Sequence, residues 1–118
     1  MLDGFTDVVW RVFSPSEFME QEDGMLEKEI EQRLVEAAKR VGGLALKFVS
    51  PGYDGMPDRI LLLPGGRISF VEVKAPGMKP RPLQQRRHEL LVGFGFKVYV
   101  VDDGEQIEQI LKETGGGA

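Results

Sequence analysis

Two apolar runs, Arg59 to Leu63 and Ile68 to Ala75, are parted by Pro64-Gly65-Gly66, and this spacing commits the middle of the chain to a β-hairpin. In the second run Ile68, Phe70, Glu72 and Lys74 alternate with Ser69, Val71 and Val73, so both strand faces are largely apolar. A strand of that kind is central and needs cover on both sides. Within it, Glu72 and Lys74 share a face, and Asp58 follows Pro57 at the mouth of the first run. Charge inside a covered strand is unusual enough to organise everything else around it.

The remaining pattern supplies the layers. Leu26 to about Val41 reads as an amphipathic helix with Ile30, Leu34, Ala38 and Val41 on one face and Gly42-Gly43 as its stop. Leu44 to Val49 reads as a strand, and Ser50 to Gly55 as a loop of turn formers. Pro76 to Pro82 is an irregular basic loop, and Pro82 suits the first turn of a helix running to about Val92. Phe96 to Val101 is a last strand and Gln106 to Glu113 a short helix. The order predicts an α/β fold: a mixed sheet containing a hairpin, flanked by helices. Residues 25–113 make the expected domain, 1–24 a leader or arm and 114–118 a flexible tail.

Composition narrows the function. With 118 residues and 42% apolar content the chain is expected to form one domain with a single core. The absence of cysteine excludes disulfides, thiolate metal sites and a cysteine nucleophile. No signal peptide is visible and apolar runs such as Ile60–Leu63 are too short to span a bilayer, so the expected location is cytoplasmic, with no membrane partner. The net charge of −4 is unevenly spread: residues 1–36 hold ten acids and three bases, whereas 74–97 hold six bases and one acid. A basic segment that follows directly on Glu72-Val73-Lys74 matters more for phosphate contact than the total. On its own, such a segment also fits an ordinary solvated helix face.

Taken singly, Glu72 and Lys74 also read as a structural pair at a strand end, and Asp58 as a turn residue after Pro57. A buried ion pair is costly to keep for stability alone, which tilts the balance towards function. For Asp58 to join Glu72, hairpin parity requires a three-residue Gly65-Gly66-Arg67 turn, a bulge, or an Asp58 just off the strand. Helix phasing places Glu27 in line with the buried stripe and Glu31 at its border, with Glu29 and Glu36 turned to solvent. Glu27 equally reads as a first-turn acid favoured by the helix dipole. His88, the only histidine, has no partner in these motifs and is expected on a helix surface. The candidate ligands are all hard oxygens, which favours Mg²⁺ or Mn²⁺ over zinc.

A helix acid, Pro-Asp, acid-x-Lys on a hairpin and a glutamine-bearing helix together resemble the PD-(D/E)xK nuclease superfamily. Gly-Met-Pro-Asp-Arg-Ile, Phe-Val-Glu-Val-Lys-Ala-Pro-Gly, Pro-Leu-Gln-x-x-Arg and Gly-Phe-x-Val-Tyr-Val look more narrowly like the VRR-NUC branch, in its small stand-alone bacteriophage form. The resemblance covers about residues 25–102 and implies a restriction-endonuclease-like core. It implies that Asp58 and Glu72 ligate Mg²⁺ or Mn²⁺, with the Val73 carbonyl as a third ligand. Glu27 would match the helix acid of junction-resolving members. Lys74 would orient or deprotonate the attacking water or stabilise the transition state, and Gln84, rather than Gln85, would order the site. Lys79, Arg81, Arg86 and Arg87 would grip phosphates beside the cut.

The expected activity is metal-dependent, structure-selective DNA endonuclease cleavage, with a homodimer resolving four-way junctions. Cutting of flaps, bubbles or other branched DNA is an alternative on the same fold. A silent nucleic-acid-binding module is a third, disfavoured by acids clustered where phosphate must approach.

Overall fold

A computed structural model describes residues 26–115 and, by its backbone alone, the strand Val8–Trp10. The elements are β1 (Val8–Trp10), α1 (Glu27–Arg40), β2 (Leu44–Lys47), β3 (Arg59–Leu63), β4 (Arg67–Val73), α2 (Pro82–Gly93), β5 (Lys97–Val101) and α3 (Ile107–Thr114), the last preceded by a 3₁₀ turn at Gly104–Gln106. Most of the expected leader and the end of the expected tail lie outside the described residues.

The sheet has five strands in the order β1-β5-β4-β3-β2. β2, β3 and β4 run antiparallel to their neighbours, while β4 to β5 and β5 to β1 are parallel. The α/β core with a mixed sheet is as expected. The parallel pairing follows from α2, which carries the chain back across the sheet between β4 and β5. β1 adds a further strand from a segment whose broken pattern does not reveal it.

α1 begins with Glu29 accepting a hydrogen bond from the Leu26 N–H at 2.9 Å. It ends as Gly42 adopts φ 84° and the Gly43 N–H returns to the Ala38 carbonyl. Because the helix stops at Arg40, Val41 leaves the expected buried face and is 48% exposed, and Ala37 joins the core instead. Ile30, Leu34, Ala37 and Ala38 pack with α3 against Leu61, Val71, Val73, Tyr99 and Val101 on one sheet face. On the other face α2 contributes Leu91 and Val92 to a smaller cluster with Phe70 and Val98. β4 is thus covered on both sides, and its even-numbered residues face α2. No helix among the described residues is long and apolar enough to cross a membrane.

Candidate active site

The hairpin turn is three residues long but sits one residue earlier than the Gly65-Gly66-Arg67 turn that would set Asp58 opposite Lys74. Leu63 pairs with Arg67 and Arg59 with Val71, so the turn is Pro64-Gly65-Gly66 and Asp58 falls opposite Glu72, not Lys74. The shift is two residues, so parity survives. Gly65 and Gly66 sit at φ 87° and 75°, a region that only glycine occupies freely, so the turn stays tight.

Pro57 explains where the ladder stops. One step beyond the Arg59–Asp58 end of β3 the register would set Val73 against Pro57. Here β3 has ended, and Asp58 Oδ2 accepts the Val73 N–H at 3.1 Å. The Asp58 carbonyl meanwhile accepts from the Phe48 N–H at 2.7 Å, tying the strand end to the chain leaving β2. Asp58 is therefore held just off β3 by its own backbone and side chain. Its carboxyl is pushed up to about 6, first by burial, then by Glu72, with smaller contributions from Glu31 and Glu27 and an opposing one from the Val73 N–H.

Glu72 lies on the α2 face and is 1% exposed. Its Oε2 accepts from Gln84 Nε2 at 2.9 Å and stands 3.6 Å from Lys74 Nζ. Its buried Oε1 accepts no hydrogen bond from the described residues, and His88 Nε2 lies 3.7 Å from it. Gln84 is itself locked, because its Oε1 accepts the Arg81 N–H at 2.8 Å at the start of α2. With the amide oxygen committed to the helix end, only the amide nitrogen can face Glu72.

The helix acid arrives from the opposite sheet face. Glu27 and Glu31, one turn apart on α1, each bring a carboxylate oxygen within 4.8 Å of the other's and of Asp58's. Glu31 also pairs with Arg59 Nη2 at 3.0 Å, and Arg59 Nη1 donates to the Ala45 carbonyl. Asp58 sits at the sheet end between two groups: Glu27 and Glu31 on one side, and Glu72 with Lys74, Gln84 and His88 on the other. Glu72 does not join the close trio.

Two residues depart from expectation. His88 is not on the surface: it is 0% exposed and faces Glu72. Gln84 and His88 occur four residues apart on α2, the spacing that could have signalled one shared face. Glu31 joins Glu27 for the same reason. Among the residues expected to grip phosphate, Lys79, Arg81 and Arg86 are exposed, and Arg81 lines a groove together with Asp54, Pro82, Leu83 and Gln84. Arg87 is instead engaged, donating from Nε to the Asp54 carbonyl at 2.8 Å and stacking on Tyr53 at 3.9 Å.

A solved structure titled "VRR_NUC domain" superimposes with a TM-score of 0.69 at 36% identity, covering 73% of this chain and 94% of that one. The fold and its acidic strand ends define the class, an α/β nuclease domain with a restriction-endonuclease-like core. The profile of the VRR-NUC domain family matches residues 5–103. A relative from Acyrthosiphon pisum secondary endosymbiont phage 1, "Putative nuclease p44", is 53% identical over 85 residues, which are 72% of this chain and 90% of that protein. The chain belongs to the VRR-NUC family of nucleases.

Proposed function

We propose that the protein is a divalent-metal-dependent endonuclease that hydrolyses DNA phosphodiesters, and that a homodimer of it resolves four-way junctions. The observation that carries the reading is the buried Glu72 carboxylate, one oxygen shared between Gln84 and Lys74 and the other accepting no hydrogen bond from the described residues. A buried acceptor left in that state is costly unless something positive completes it. Asp58, desolvated and crowded by Glu72, Glu31 and Glu27, has the same need. The donor set is all oxygen, so the residues fit Mg²⁺ or Mn²⁺.

Asp58 and Glu72, with Glu27 and the Val73 carbonyl, would hold the ion. When bound, it would polarise the scissile phosphate and make an attacking water more acidic. Lys74 places a positive charge beside Glu72, where a phosphate gaining negative charge is stabilised or a water is oriented. Gln84 holds the Glu72 carboxylate in one plane. Exposed Lys79, Arg81 and Arg86 supply the phosphate-binding rim.

The dimer is supported by an apolar stretch of sheet that α2 leaves open. Leu44, Leu46, Ile68 and Phe96 there are between 37% and 46% exposed. A two-fold pair of sites suits a four-way junction, and the cytoplasm of a host cell is the compartment that such a substrate implies.

The test is to incubate the purified protein with labelled four-way junction, flap, bubble and linear duplex, with and without Mg²⁺ or Mn²⁺. Metal-dependent, paired symmetric cuts in the junction are expected, and Lys74→Ala should slow them by roughly 10²–10³-fold. Single-strand cuts confined to flaps or bubbles would move the substrate. No metal-dependent cutting of any DNA, or unchanged cutting by Lys74→Ala, would sink the enzyme reading. A monomer by solution mass at micromolar concentration would remove the resolvase assignment.

A further inference from the structure

We propose that His88 is a positioning residue for the Glu72 carboxylate, acting on Oε1 as Gln84 acts on Oε2. The inference rests on the nuclease reading above. His88 lies one helical turn beyond Gln84 on α2 and is 0% exposed. Its Nε2 is 3.7 Å from Glu72 Oε1, while Gln84 Nε2 is 2.9 Å from Oε2. Two side chains of one helix thus straddle one carboxylate, each beside a different oxygen.

Packing alone does not account for an imidazole here. α2 meets the sheet through Leu91 and Val92 against Phe70 and Val98, and a leucine at position 88 would be buried on the same helix without desolvating two ring nitrogens. A polar ring in that position calls for polar neighbours, and Glu72, 3.7 Å from Nε2, is one of them. The separation is slightly beyond hydrogen-bond length, and a small rotation of ring or carboxylate closes it. An Nε2–H then donates to Oε1. With each oxygen held from α2, the carboxylate plane is set before a cation arrives, and its remaining lone pairs are directed rather than averaged.

The experiment compares His88→Leu, which keeps the volume and removes the donor, with His88→Gln, which restores an N–H. His88→Met is the donor-free variant if leucine does not fold. Three readouts are taken: melting temperature without metal, Mn²⁺ affinity by calorimetry without DNA, and kcat and KM for junction cleavage. The donor-free variant should fold but melt several degrees below the wild type, because the buried Glu72 Oε1 loses its donor while Glu72 itself remains. It should bind Mn²⁺ about 10-fold or more weakly and lose kcat by about 10–100-fold, with KM for DNA unchanged. His88→Gln should recover most of both losses. Wild-type Mn²⁺ affinity in the donor-free variant, or His88→Gln behaving no better than leucine or methionine, would overturn the role and leave His88 a packing residue. Lys74→Ala run alongside keeps the two ideas apart. If it abolishes cutting while the donor-free variant is normal, only the His88 proposal falls; if it leaves cutting intact, the nuclease reading itself fails.

Discussion

Gln84 makes two hydrogen bonds that need different ends of its amide: Oε1 to the Arg81 N–H and Nε2 to Glu72 Oε2. Gln84→Glu keeps the first and replaces the second donor with an acceptor facing a buried carboxylate. The variant should lose about 1–3 kcal/mol of stability, read by urea denaturation, and lose cleavage with it. A second prediction concerns Asp58 and Asp102, both pushed from 3.8 to about 6, chiefly by burial. Asp102 is 3% exposed and is moderated by hydrogen bonds from Gln106 and from the Gly77 backbone, which lies in the loop after Lys74. Because both folded values lie above the unfolded ones, the native state binds more protons than the unfolded chain between about pH 4 and 6. Stability without metal should therefore fall as pH rises through that window and level off above it. Thermal melts at pH 4, 5, 6 and 7 measure this, and Asp102→Asn should flatten part of the slope.

Strands and helices differed in how plainly they could be read from the amino acids. β4 was legible because strand alternation needs only two residues to set a face, so Glu72 and Lys74 could be placed together from their spacing alone. The register was not, because Pro64 belongs to the turn and Arg67 to the ladder, and composition does not separate the two arrangements. The buried face of α2 was hidden for a different reason. It runs through Gln84 and His88 before reaching Leu91 and Val92, so polar residues occupy positions where periodicity looks for apolar ones. The turn offers a sharp check. Deleting Gly66 would leave Pro64 at the first position of a two-residue turn, where φ must be positive and proline's is not. The ladder then slips by one residue and β3 changes face, so cleavage should vanish even where circular dichroism still reports a sheet. Gly66→Ala keeps the length and strains φ 75°, and should cost roughly 1 kcal/mol while leaving cleavage in place.

The protein as a whole is acidic at −4, yet residues 74–97, which begin at the end of β4, hold six bases and one acid, with Lys79, Arg81 and Arg86 exposed. Binding to DNA should accordingly depend steeply on salt. Alanine at Lys79, Arg81 or Arg86 should each lower the slope of log K against log salt by about 0.9 if that residue meets a phosphate, measured by fluorescence anisotropy with metal omitted. Arg87→Ala should instead loosen the loop that Asp54 anchors, with a smaller change in slope. The pairing of β1 with β5 sets Val8 beside Val98, joining two segments far apart in sequence that are made at different moments. The β3–β4 hairpin carrying Asp58, Glu72 and Lys74 can close early because its strands are neighbours, but β5, which completes the sheet beside β4, emerges only afterwards. A nascent chain therefore carries the hairpin acids before β5 has joined β4, and the sheet beside them is completed only once residues 97–101 have emerged.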